Sequence, residues 1–283
     1  MKRRDPLWES FVAHAILLVA VAFALYPVLW VISLALSPTG TPAAHALPLP
    51  DAVSLVNFRA VALHHDGAGR WLFARQLFNS VVISTATAVA SVAIATPAAY
   101  ALARFQFVGE RAGMRTLLAT QMFPGVATAV PLYVILDTLH LLDTRSGLVL
   151  VYATTALPFA VFQLRGAFEA IPKDLEEAAM VDGATRAEAF VKVVLPAARP
   201  AIAVTCLFAF MSAWNEFILA ATFLSHEDAF TLPVALQRYV GEYDAAWGRF
   251  AAGAILVSVP VMAIFYAVQR HLVGGLTAGS VKG

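Results

Sequence analysis

The sequence predicts an all-α integral membrane protein with six transmembrane helices and both termini in the cytoplasm. Three observations predict it. Apolar residues make up 60% of the chain and charged residues only 13%, where soluble domains run near half and a quarter. The charges are confined to short segments between long uncharged runs. The basic residues are also unevenly divided between the two sets of connecting segments.

The first span is Phe11–Leu36, apolar apart from His14 and preceded by Lys2, Arg3 and Arg4. Its apolar stretch exceeds the ~7–15 residues of a signal peptide, so it reads as a retained anchor. A long segment follows, from Ser37 to Arg75. Pro38, Gly40, Pro42, Pro48 and Pro50 make its first part irregular. After Asp51, the spacing of Val53, Val56, Ala60 and Leu63 predicts a short amphipathic helix. Gln76–Ala103, Thr116–Leu136, Ser146–Leu164 and Phe250–Gln269 are free of charge, and Ala201–Phe223 carries one acid, Glu216. Each is close to the ~20 residues needed to cross the bilayer core. Counting alternate connections, thirteen of the nineteen Lys and Arg residues fall on the side of the N-terminus. That is the cytoplasmic side by the positive-inside rule. The organisation expected is 1–74 for the tail, first helix and outer loop, 75–270 for a five-helix core, and 271–283 for a cytoplasmic tail.

The polar stretch at 171–200 interrupts the apolar pattern. Pro172 suits the first turn of a short helix, which runs to Asp182 and ends at Gly183, a residue that tolerates the left-handed cap conformation. Thr185 and Glu188 have the spacing of a capping box, opening a second helix over Arg186–Val194. Leu195–Pro196 ends the unit, because proline disfavours helix in the residue before it. Ala178 and Ala179 present a small face that another surface can approach closely. The unit is a docking device in outline.

Other polar groups carry weaker signals. Glu216, in Trp214-Asn215-Glu216-Phe217, is the main intramembrane acid, which is a functional hypothesis by default; near an interface it is equally a structural group. Trp214, Asn215 and Glu216 are the substrate-binding candidates, joined by Tyr133, Tyr152, Thr154 and Thr155. Prolines 27, 97, 124, 131, 158 and 260 lie inside spans, where they either shape a cavity or are tolerated as membrane helices tolerate proline. His64-His65-Asp66 is a chance cluster. Cys206, the single cysteine, forms no intrachain disulfide. There is no Gly-x4-Gly-Lys-[Ser/Thr] phosphate loop, and the near-neutral charge gives no reason to expect nucleic-acid binding.

The pattern Glu177-Ala178-Ala179-x3-Gly183-x9-Val193-x-Leu195-Pro196 resembles the signature loop of permease subunits in binding-protein-dependent ABC importers. Asn79-Ser80, Ala99-Tyr100-Ala101-Leu102-Ala103-Arg104, Gln121-Met122-Phe123-Pro124 and the tail 275–283 are similar to the carbohydrate branch, in particular the second permease subunit of maltose-type systems. The resemblance covers about Asn79 to Gly283 and implies a type I importer permease fold in a bacterial inner membrane. It implies an ATPase-coupling loop formed by Glu177, Ala178, Ala179, Asp182, Gly183, Leu195 and Pro196. It also implies a second permease subunit, two copies of a cytoplasmic ATPase that hold the ATP and Mg, and an extracytoplasmic sugar-binding protein near 224–247. The chain itself would be non-catalytic and bind no cofactor. The alternatives are an importer of a polyol or glycerol phosphate and an autonomous secondary carrier. The latter needs paired ionisable groups near mid-membrane, which the uncharged runs do not supply.

Overall fold

The computed structural model describes residues 7–41, 47–241 and 245–278. Among them the chain is helical, with only isolated bridges, His65 to Trp71 and Val240 to Ala245, in place of strands. Four helices are long and apolar enough to cross a membrane: Trp8–Leu36, Leu72–Arg104, Arg145–Ala170 and Trp247–Ala267. Two bent helix pairs raise the number to six if each pair is one span.

The chain divides into two compact units. One holds residues 1–74 and 236–259, with α1 (Leu7–Leu36), α2 (Val56–Ala62) and the start of α13 (Trp247–Ala278). Asn57 organises it: its amide donates to the carbonyls of Ala35 (3.1 Å) and Ser37 (2.8 Å). Gly248 packs so closely here that a Cβ would lie 2.7 Å from the Cα of Gly40. The short helix expected after Asp51 is present, yet its buried residues are Asn57 and Val61, while Val53, Val56 and Leu63 are exposed. The amide's need for those two carbonyls sets the inward face, and apolar spacing alone does not reveal it. Most of α1 is bare apolar surface, including Phe11 and Phe23.

The other unit holds 75–235 and 260–283. It is built on α3 (Leu72–Arg104) and α6 (Arg145–Ala170). One core cluster gathers Ile83, Leu136, Leu148, Tyr152 and Phe223; a second gathers Ala95, Ala99, Tyr100, Leu164, Phe168 and Val194. Small residues on α3 let neighbouring backbones approach, as is usual where packing rather than water exclusion drives helix association.

Three expectations about continuity are corrected. Thr116–Leu136 is not one straight span: α4 (Glu110–Gln121) and α5 (Gly125–Thr138) meet at 101°. Pro124 is extended (ψ 124°) at the junction and restricts Phe123 as well, so the helix restarts rather than kinks. Ala201–Phe223 is likewise divided into α10 (Arg199–Trp214) and α11 (Ile218–Phe223), with Asn215–Phe217 between them. The segment expected as one helix over Arg186–Val194 is α8 (Arg186–Ala189) followed by a π-helical turn, Phe190–Val194. Pro196 then lies inside α9 (Leu195–Ala197) rather than ending the helix. Proline lacks an N–H and its ring clashes with the carbonyl four residues back; the wider π turn relieves both. α13 continues through Gly274 and Gly275 to Ala278, into the segment 271–283 read as a tail. Each residue added to an existing helix needs no new nucleation. Residues 279–283, and Glu242 and Asp244 of the loop 224–247, lie outside the described residues.

Candidate functional site

The site with the most definite geometry is the helix pair after α6. α7 (Asp174–Val181) opens with Asp174, Glu176 and Glu177 in its first turn, acids placed to favour the helix dipole. It closes with a complete Schellman motif. The Ala184 N–H donates to the Ala179 carbonyl (3.0 Å), and the Gly183 N–H donates to Met180 (3.1 Å). Gly183 has φ +95°, and a Cβ there would meet nothing within 4 Å. Backbone conformation alone therefore demands glycine.

Two residues later the capping box forms as the spacing predicts. The Glu188 N–H donates to Thr185 Oγ1 (3.3 Å), and the Thr185 N–H donates to Glu188 Oε2 (2.9 Å). Lys192 Nζ reaches the other carboxylate oxygen at 3.1 Å. The Thr185 N–H, with Lys192 beside it, pulls the Glu188 carboxyl down to about 2.

The pair is held to the membrane helices by a residue that the sequence pattern did not single out. Glu176 is buried and bridges to the Arg104 guanidinium, while the Tyr100 hydroxyl donates to its Oε2 at 2.8 Å. Arg104 also donates to the Ile171 carbonyl (2.9 Å). Tyr100 in turn packs on Phe190 of the π turn, centroids 4.3 Å apart, with Phe105 and Phe168 edge-on. The end of α3 thus grips both arms of the helix pair. The signal available was Tyr100-x3-Arg104, which places a hydroxyl and a cation on one helical face, but nothing in sequence names Glu176 over Glu177 as their partner.

The motif residues face the other way. Glu177, Ala178, Asp182 and Gly183 are exposed, Ala179, Leu195 and Pro196 are half-buried, and apolar Leu175, Val181 and Val191 are also exposed. The arrangement presents a rigid, partly apolar surface on an anchored base. It can transmit a displacement to α3 and α6 without being lost to bending.

The substrate candidates at 214–216 do not share one surface. Trp214 is buried and stacks on Phe210 at 5.5 Å, whereas Asn215 is exposed and donates to Met211 O (2.9 Å). Glu216 accepts three hydrogen bonds: Tyr152 Oη (2.7 Å) and the N–H groups of Leu219 (2.9 Å) and Ala220 (3.0 Å). It caps α11 and ties it to α6. Of the others, Tyr152 is buried, and Tyr133, Thr154 and Thr155 are exposed.

Asn79-Ser80 sits at the other end of α3 and clamps the segment 227–232. Asn79 Nδ2 donates to the carbonyls of Asp228 (2.9 Å) and Phe230 (3.0 Å), and Ser80 Oγ accepts from the Leu232 N–H (2.7 Å). Arg145 completes the clamp by donating to Asn79 Oδ1 at 2.8 Å. Asp143 receives the N–H groups of Ser225 and His226. Burial raises its carboxyl, but those two N–H groups and the His226 ring outweigh it and hold it below the usual range.

Comparison with known proteins identifies the family and the fold. The family model described as "Binding-protein-dependent transport system inner membrane component" matches residues 91–277. The trehalose transport system permease SugB of Mycobacterium tuberculosis is 40% identical over 265 residues, covering 93% of this chain and 94% of that protein. The maltose/maltodextrin permease MalG of Salmonella typhimurium is 37% identical over 286 residues, covering 96% and 95%. A subunit of a bacterial ABC transporter involved in importing the acidic polysaccharide alginate superposes with a TM-score of 0.76 at 26% identity, covering 95% of this chain and 98% of that one.

Proposed function

Because the chain belongs to the family of binding-protein-dependent transport system inner membrane components, we propose how it acts within an ATP-driven importer. It is the permease of a sugar ABC importer, the function its relatives share, trehalose and maltose permeases among them. The substrate class we favour is a disaccharide or short oligosaccharide. The proposed topology has six crossings, the segments 116–136 and 201–223 contributing one each, with both termini and the α7–α8 pair in the cytoplasm. A second permease subunit lines the path with this one. Two copies of an ATPase, holding ATP and Mg, receive the α7–α8 surface, and a binding protein delivers sugar at the opposite face.

One observation carries the reading: the turn between α7 and α8 is capped on both sides, Glu177 and Ala178 are exposed, and the pair is anchored through Glu176 to Arg104 and Tyr100. Closure of the ATPase pair would move α7–α8, and the anchor would carry that movement into α3. For coupling to work, nucleotide must stabilise one arrangement of the helices over the other. A stiff linkage supports that; a loose connector would dissipate the motion.

The test is gentle extraction of the tagged chain from its native membranes, with identification of what co-purifies and an assay of ATP hydrolysis. An ATPase and a second permease are expected, with hydrolysis stimulated by the sugar-loaded binding protein. A chain that purifies alone and without ATPase activity would overturn the reading in favour of an autonomous carrier.

A further inference from the structure

A cleft of about 880 Å³ lies beside α7, lined by the end of α3, the following turn, α4, and residues of α6. Its charge is not balanced. Arg104 is taken by Glu176, and Arg165 by Glu169 (2.7 Å) and Glu110 (3.7 Å). Arg111, Arg115 and Lys173 line the same cleft with no ion pair among the described residues. Five cations against the carboxylates of Glu110, Glu169 and Glu176 leave the site at +2. Guanidinium groups one helical turn apart, as Arg111 and Arg115 are, suit the several oxygens of a single phosphate.

The rim indicates where that phosphate comes from. Phe107 and Val108 form an apolar tip next to the cations, Phe107 half-exposed at 49% and Val108 fully exposed. α4 has no buried residue and stands at 101° to α5. Arg111 and Arg115 immediately precede the uncharged run 116–136, so the first turns of α4 lie at the end of that crossing, where basic and apolar side chains together are at home. Exposed apolar residues next to unpaired cations match the boundary between acyl chains and headgroups. They do not match a site for a free ion in water.

We propose that this cleft binds a phosphate anion supplied by the headgroup of an acidic phospholipid, with Arg111, Arg115 and Lys173 as its ligands and Phe107 and Val108 in the acyl layer. The proposal rests on the reading that the α7–α8 end is the ATPase-facing, cytoplasmic end. Lipid here would brace the base of α7, since Lys173 immediately precedes that helix. The site deepens the transport function: bilayer charge would tune how firmly the helix pair is held.

The test uses the assembled transporter in phosphatidylcholine nanodiscs with and without phosphatidylglycerol. Retained phosphatidylglycerol is counted by native mass spectrometry after mild delipidation. Wild type should retain it, and Arg111→Gln/Arg115→Gln should reduce retention by roughly thirtyfold, in line with the attraction of each of two basic residues to an anionic surface. Both side chains are exposed and have no ion-pair partner among the described residues, so the variant should fold; its size-exclusion profile checks this. Lys173→Gln, made separately, should give a smaller loss. Equal retention by wild type and the double variant would overturn the proposal. So would displacement of the lipid by millimolar inorganic phosphate, which would identify a free anion as the ligand. Loss of the ATPase from the variant complex with lipid retention unchanged would also overturn it, assigning the cations to a protein contact. Absence of any ATPase from the wild-type preparation would instead break the functional reading on which the proposal rests.

Discussion

Gly183 separates two demands that usually come together, space and conformation. Its surroundings are open, but its φ of +95° is one that L-residues rarely adopt. A side chain there costs about 1–2 kcal/mol locally, too little to unfold the protein, yet enough to redirect the chain between α7 and α8. Gly183→Val should therefore insert and assemble normally and hydrolyse ATP, while sugar uptake into proteoliposomes falls sharply. Uptake at the wild-type rate would remove the coupling role from this residue. Glu176 poses the opposite case, a buried charge whose value lies in its partner. Glu176→Ala would leave the Arg104 guanidinium buried with one carbonyl for company, and losing one member of a buried pair costs about 3–5 kcal/mol. Thermal unfolding of the purified transporter should show the loss. Glu176→Gln, which keeps a hydrogen-bond acceptor for Tyr100, should be milder.

The α7–α8 element has its own pH signature. Glu188 is pulled down to about 2 by the Thr185 N–H and by Lys192, against an ordinary 4.5. A carboxyl depressed in the folded state adds stability that is complete above the unfolded value and is lost as pH falls through the folded one. The first turn of α8 should thus be indifferent to pH from neutrality to about 5 and loosen between about 4.5 and about 2. Amide exchange at Thr185 and Glu188 reads this directly, and a loosening already present near pH 6 would contradict it. The same element shows what patterns in sequence can deliver. The Gly183 cap and the Thr185–Glu188 box were legible because each depends on neighbours within a few residues. The π turn was not, because it reconciles Pro196 with a helix that continues beyond it. The breaks at Pro124 and at Asn215–Phe217 escaped for a related reason: apolar runs report burial in a membrane, not backbone direction.

At the scale of the whole molecule, α3 carries polar anchors at both of its ends. Asn79, Ser80 and Arg145 hold the loop at one end, while Tyr100, Arg104 and Glu176 hold the helix pair at the other. Glu216 accepts hydrogen bonds from Tyr152 and two backbone N–H groups. A carrier driven by an ion gradient needs a titratable pair near mid-membrane, whereas Glu216 is engaged in capping a helix. The sequence by itself determined the membrane class, the positions of the apolar runs and the capped helix pair, since hydropathy and caps are local properties of the chain. Only the tertiary structure decided that Glu176, rather than its neighbour Glu177, anchors that pair, that Trp214 is buried while Asn215 is exposed, and that two of the runs are divided between separate helices. Those outcomes depend on which side chains, far apart in sequence, meet in space to satisfy buried charges and hydrogen bonds.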